Sequence, residues 1–211
     1  MIGCHLIFGA YGFWLPNDPR GSWSTEVWAR HLRPFGGPTK VETRHSVAHR
    51  KHDRAERLRA KQALKYPAVK LTGIQARAAG RGFAQIIDEL KVTVYACAVL
   101  PDHVHLVTAA HPMDGDELIG FLKRAATRHL SAEGIHPLEA FRRGNGRIPS
   151  PWAVRGWSVY LDTVQQMRQR IRYVEENPLE AGLPRQRWPF VSTYGPGLAT
   201  GANTLENRKP P

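Results

Sequence analysis

The chain has 211 residues, 42% of them hydrophobic, and 30 Lys and Arg against 18 Asp and Glu give it a net charge of +12. That length suits one domain, or one domain with an insertion, and buries a core without staples. The two cysteines, Cys4 and Cys97, make no CxxC pair, which argues against a disulfide framework or a cysteine zinc site and suits a reducing cytosol. No apolar run is long enough to span a bilayer, and the opening M-I-G-C-H-L-I-F-G lacks the basic start of a signal peptide. The positive charge, mostly arginine, favours a polyanion such as nucleic acid over a small anionic substrate.

Residues 4–14, C-H-L-I-F-G-A-Y-G-F-W, predict a first strand. L-P-N-D-P-R-G breaks it with turn residues. Residues 21–70 read as a basic insertion before the first core helix. Its part from 41 to 65 suits a solvated helix, in which His45, His49 and His52 recur at helical spacing. A metal clip or a phosphate-facing surface is possible there; a solvated basic face is the favoured reading.

Thr72 can cap a helix over 73–90, with Phe83, Ile86, Ile87 and Leu90 as its apolar face and Gly80 and Gly82 as weak points. Residues 91–109 predict a strand, a tight Pro-Asp turn and a second strand. His103 and His105 lie two apart in the second strand, so both imidazoles share one face. Val104 and Leu106 point the other way, into a core. The pair is close enough to hold one metal ion.

Asp114 can cap a helix over 115–132, with Leu118, Ile119, Leu122 and Leu130 inward and Lys123, Arg124 and Arg128 facing elsewhere. Residues 133–156 are loop-like and basic, and include Arg142, Arg143, Arg147 and Arg155. Trp152 and Trp157 lie among these arginines and suit either base stacking or the core. A short strand follows at 157–161, then a helix over 162–177 stopped by Pro178. Helical projection puts Val164, Met167, Ile171 and Val174 on its core stripe, and Tyr173, Arg170 and Asn177 on its polar side. From composition, 196–211 reads as a flexible tail.

The order of elements predicts an α+β, ferredoxin-like βαββαβ fold. It is an antiparallel sheet with helices on one face and an additional C-terminal helix that carries Tyr173. A phenol beside a cation is a candidate nucleophile for phosphorus, and a metal on the histidines would polarise the phosphate. The amide oxygen of Asn177 could complete the metal shell.

These residues resemble a known family. P-D-H-V-H-L-V is similar to the H-U-H motif, where U is a bulky hydrophobe. R-Y-V-E-E-N-P-L-E-A-G-L resembles the tyrosine helix and following turn of REP-associated tyrosine transposases, which are single-tyrosine HUH transposases. Y-G-F-W-L-P-N-D-P-R-G and R-W-P-F-V-S-T-Y are similar to further segments of that group. The resemblance spans roughly 1–20 and 72–195. Three departures accompany it. Asp102 stands where relatives usually have Asn, the 21–70 segment is longer and more basic, and the serine pair of the common Trp-Ser-Ser segment is not kept.

The resemblance implies one catalytic domain over 1–195 that cleaves and rejoins single-stranded or hairpin DNA. His103, His105 and Asn177 would bind Mg²⁺ or Mn²⁺, and Tyr173 would form a 5′-phosphotyrosine. Arg142, Arg143, Arg147, Arg155, Arg170 and Trp152 are the expected DNA contacts. The expected setting is the bacterial cytoplasm, on the nucleoid, as monomer or homodimer. Three other readings stand beside it: a non-catalytic hairpin-DNA-binding protein, a replication-initiator or relaxase-type nickase, and a zinc-dependent hydrolase.

Overall fold

The computed structural model describes residues 1–16, 18, 26–27, 29–38 and 53–195. Within the basic insertion, residues 21–25, 28 and 39–52, including His45, His49 and His52, lie outside them, as does the expected tail at 196–211.

The described α-helices and strands are β1 (Gly3–Ala10), α1 (Arg54–Gln62), α2 (Gly73–Glu89), β2 (Val94–Val99), β3 (His103–Ala109), α3 (Gly115–Ala132), β4 (Trp152–Leu161) and α4 (Val164–Glu180), with short 3-10 helices at Arg30–Phe35 and Glu139–Phe141. The four strands form one sheet in the order β2-β3-β1-β4, every pairing antiparallel. This is the ferredoxin-like βαββαβ arrangement, in which consecutive strands are split by another.

β1 is central and alternates cleanly. Cys4, Leu6, Phe8 and Ala10 pack with Val104 and Leu106 of β3 into the main core under α2 and α3. Phe8 sits at its centre, edge-on to Phe83 of α2 at 5.9 Å and to Trp152 of β4 at 5.5 Å. Burying each such ring contributes roughly 1.5–3 kcal/mol. The opposite sheet face carries Tyr95, Ala96, Ala98, Val107 and Leu161, and α4 covers it with Met167 and Val174. The sheet is therefore sandwiched, and α4 lies on the face toward which the period of two sends His103 and His105.

The helix starts follow local chemistry. Thr72 accepts from the Gln75 amide while the Gln75 side chain accepts from the Thr72 amide, a reciprocal cap. Thr163 and Gln166 repeat that cap at the start of α4. Asp114 caps α3 and Asp53 caps α1. Gly82 of α2 sits where a Cβ would lie 2.6 Å from the backbone of Ala125 and Ala126 on α3. The glycine that weakens the helix locally is what lets the two helices close.

Several boundaries differ from the sequence reading. β1 ends at Ala10 rather than 14, because the chain turns at Gly12 with φ 79°. The charged helix expected over 41–65 is described only as α1. β4 begins at Trp152, five residues before the predicted strand, since pairing with β1 extends it past the weakly patterned W-A-V-R-G. α4 runs through Pro178 to Glu180. A proline in the last turn removes one amide donor, and the Asn177 and Pro178 carbonyls still accept from Ala181 and Leu183. Val164 is exposed rather than on the core stripe, and Asn177 is buried rather than on the polar side.

The chain after α4 guards the free edge of β2. The Gln186 side chain bonds both the amide and the carbonyl of Val99 at 2.8 Å, and Ser192 donates to Val94. An edge strand so covered offers no template for pairing with another chain.

Candidate active site

Three histidines gather on the α4 face of the sheet. His103 and His105 come from β3, as their spacing predicts. The third, His5, comes from β1, where it alternates with the core residues Leu6 and Phe8. Its only signal in the sequence is a polar residue inside an apolar strand, and the sequence reading did not single it out.

His105 is 4% exposed and His5 is 1% exposed. Their rings stack at 5.1 Å, and His5 Nε2 lies 3.0 Å from His105 Nδ1. Burial, and secondarily the Arg170 charge, lowers the His5 pKa to about 3. Burial, then His5, His103 and Arg170, holds His105 well below the ordinary imidazole range. Both rings are neutral at physiological pH, the form in which imidazole ligates metals.

His103 stands at the mouth of the group, at 4.8 Å from the His105 ring and nearly perpendicular to it. Its Nδ1 donates to Asp102 Oδ1 at 2.8 Å, and its ring stacks on Phe13 at 4.6 Å and 11°. Asp102 sits in the turn between β2 and β3, so that turn sets the tautomer of the histidine beside it.

α4 brings Tyr173 to this cluster. Its ring lies edge-on to His105 at 5.6 Å and to His5 at 6.1 Å, and the residue is 41% exposed. The Arg170 guanidinium carbon lies 6.0 Å from the Tyr173 ring centre. Asn177 follows one turn along α4; its Nδ2 is buried with no hydrogen-bond partner.

Among the described residues, no group of three or more His, Cys, Asp or Glu side chains is arranged to hold a metal ion. The donor set is narrower. His103 keeps a free Nε2 lone pair because Nδ1 carries the proton given to Asp102, and the buried His105 Nε2 has no partner. Two such nitrogens fit a divalent ion that takes its other ligands from substrate oxygens and water.

The expected DNA contacts divide. Arg142, Arg143 and Arg147 lie together on an exposed loop closed by the Arg143–Arg147 backbone bond at 2.9 Å. Arg142 pairs with Glu139 at 2.7 Å, and Arg143 Nη2 donates to the Tyr66 hydroxyl at 3.3 Å. Arg155 is exposed on the edge strand β4. Trp152 corrects the stacking role expected for it: it is 3% exposed, and its Nε1 donates to Lys123 and Thr127. A ring enclosed in the core has no open face for a base. Trp157 pairs with Ile7 on the histidine face and is only half-buried. Lys123, expected to face outward, turns its Nζ inward to the carbonyls of Ala153 and Arg155 at 2.8 Å.

Fold and site together describe an α+β protein with a histidine cluster on one sheet face and a tyrosine helix laid across it. No protein-family model and no curated protein matches the chain. Among solved structures it is similar to a REP-associated tyrosine transposase bound to a REP hairpin. That match has 19% identity over 60% of this chain and 69% of the other, with a TM-score of 0.42. It is also similar to a candidate transposase from Deinococcus radiodurans R1, with 15% identity over 83% and 89% of the two chains and a TM-score of 0.42.

Proposed function

We propose that the protein is a single-tyrosine DNA strand transferase, a transposase of the HUH type, acting on single-stranded or hairpin DNA. The observation that carries this reading is the meeting of α4 with β3: Tyr173 lies 5.6 Å, ring to ring, from His105, and His103 is the next imidazole outward.

Tyr173 Oη attacks the scissile phosphorus. The bond from phosphorus to the 3′ oxygen breaks, the phenolic proton is lost and the 3′ oxygen leaves as a hydroxyl. The 5′ end stays on Tyr173 as a phosphodiester, so attack by another 3′-hydroxyl rejoins strands without a nucleotide cofactor. His103 and His105, with Asn177 as a third candidate, would hold Mg²⁺ or Mn²⁺, and the ion would neutralise the phosphate and polarise its oxygens. Arg170 adds positive charge beside the nucleophile. Arg142, Arg143, Arg147 and Arg155 hold the DNA backbone, consistent with the net charge of +12. Tyr173 approaches the histidines of its own chain, which supports a site completed within one protomer.

The test is a suicide-substrate assay with labelled single-stranded hairpin oligonucleotides and Mn²⁺, read on denaturing gels. The expected result is a covalent protein–DNA band in wild type that disappears in Tyr173→Phe and with chelator. Tight hairpin binding without a band across a broad library points instead to a non-catalytic binding protein. Cleavage that runs best with zinc and ignores Tyr173→Phe points to a hydrolase.

A further inference from the structure

The proposed chemistry uses His103, His105 and Tyr173 and leaves one buried imidazole beside them unexplained. His5 stands on the central strand with Nε2 on His105 Nδ1, and with its own Nδ1 buried and unpartnered. Burying polar nitrogen without a full set of partners is unfavourable, by roughly 1–3 kcal/mol on mutational scales.

A neutral imidazole carries one N–H and one lone pair. Two arrangements therefore satisfy the 3.0 Å contact. If His5 donates from Nε2, the proton of His105 sits on Nε2, and that nitrogen cannot ligate a cation. If His105 donates from Nδ1, its Nε2 is a bare lone pair. His103 is already in the second state, since Asp102 takes its Nδ1 proton at 2.8 Å. A carboxylate serves one histidine and an imidazole can serve the other, from separate strands and with the same outcome. The Nε2 atom of His105 is buried without a protein partner, as expected of a nitrogen reserved for a ligand.

We infer that His5 is a positioning residue: its Nε2 accepts the Nδ1 proton of His105 and fixes the tautomer that leaves His105 Nε2 free for a divalent cation. The role of the cation rests on the function proposed above; the 3.0 Å contact admits either tautomer, and the choice between them rests on the unpartnered Nε2 of His105 and the parallel with His103. Partners of this kind orient a ligating ring and raise its basicity, and their loss weakens metal binding about 10–100-fold.

Two measurements decide it. Long-range ¹H–¹⁵N correlation on the metal-free, histidine-labelled protein reads the tautomer directly. The Nδ1–H form at His105 is expected, and the Nε2–H form overturns the inference. Free Mn²⁺ measured by electron paramagnetic resonance then gives the affinity of His5 variants. His5→Phe keeps a ring in the strand but accepts no proton, so its Mn²⁺ dissociation constant should rise about 10–100-fold. His5→Gln offers an amide oxygen to the same proton and should recover most of the wild-type affinity. A folded His5→Phe with wild-type Mn²⁺ affinity overturns the inference, as does a folded His5→Gln that binds no better than His5→Phe. If His5→Phe does not fold, the wild-type tautomer and His5→Gln decide. If the wild-type protein binds no Mn²⁺, the metal reading of the site fails, and the tautomer still decides what His5 does.

Discussion

Asp102 and His103 are neighbours in sequence and partners in space, with the His103 Nδ1 proton donated to Asp102 Oδ1 at 2.8 Å. Phe13 holds the same imidazole from its face at 4.6 Å. The ring is fixed in tautomer by one contact and in plane by the other. Asp102→Ala removes the first and spares the second. It should weaken Mn²⁺ binding about 10–100-fold, the usual loss when such a partner is removed. Asp102→Asn keeps an oxygen acceptor without the charge and should lose less. Calorimetric Mn²⁺ titration of both variants checks the order. Hairpin affinity in chelator should stay at the wild-type value, because neither change touches the arginine loop.

Gly82 marks where helix propensity and tertiary packing disagree. Alanine is favoured over glycine in a free helix by about 1 kcal/mol. Here a Cβ would meet the Ala125 carbonyl carbon and the Ala126 nitrogen at 2.6 Å. Those are backbone atoms of a packed helix and cannot rotate aside. Gly82→Ala should therefore destabilise the fold, by about 1–3 kcal/mol as overpacking does, where propensity alone predicts a gain. Thermal unfolding of the variant gives the sign.

The same contrast explains what the sequence could and could not disclose. The helix starts at Thr72 and Asp114 and the shared face of His103 and His105 follow from local chemistry and a period of two, and they are readable residue by residue. So is the placement of Tyr173 off the core stripe of α4. His5 was not readable as a site residue, because its importance comes from the pairing of β1 with β3, which joins positions 100 residues apart. Trp152 was ambiguous for a related reason. Its burial depends on β4 extending along β1, and W-A-V-R-G carries little strand pattern of its own. Lys123 looked like a surface cation on a helix, and only the approach of β4 gives its ammonium two carbonyls.

Lys123 makes stability depend on pH in an unusual direction. Burial lowers its pKa from 10.5 to about 8, against a smaller opposing pull from Asp116. Between those two values the unfolded chain holds the proton and the folded chain releases it. Stability rises with pH wherever the unfolded state binds more protons. The contribution of Lys123 is therefore least favourable below pH 8 and improves from about pH 8 to 10.5. Cys4 opposes this, because burial raises its thiol to about 11, so the informative quantity is a difference. Urea unfolding of wild type and Lys123→Met across this range should show the wild-type curve gaining on the variant as pH rises. Parallel curves would mean the ammonium is not held as the geometry indicates.

The arginine loop and Trp152 were expected to share one role and should separate by experiment. Trp152 packs edge-on to Phe8, buried and hydrogen-bonded to α3. Trp152→Ala should cost about 3–5 kcal/mol of stability, as large-to-small changes at core aromatics do. Any loss of DNA affinity in that variant then follows its unfolding. Arg147 is exposed, and the ion pair of Arg142 with Glu139 joins two side chains that are each nearly half exposed. Exposed pairs of this kind add little stability, so Arg142→Ala and Arg147→Ala should shift unfolding by no more than about 0.5 kcal/mol. Each should still weaken single-stranded DNA binding evenly across sequences. Each should also flatten the slope of log affinity against log salt by about 0.7, the loss of one phosphate contact. Fluorescence anisotropy at several salt concentrations checks this. An unchanged slope in both variants would remove the loop from the DNA path and leave Arg155 and Arg170 to carry it.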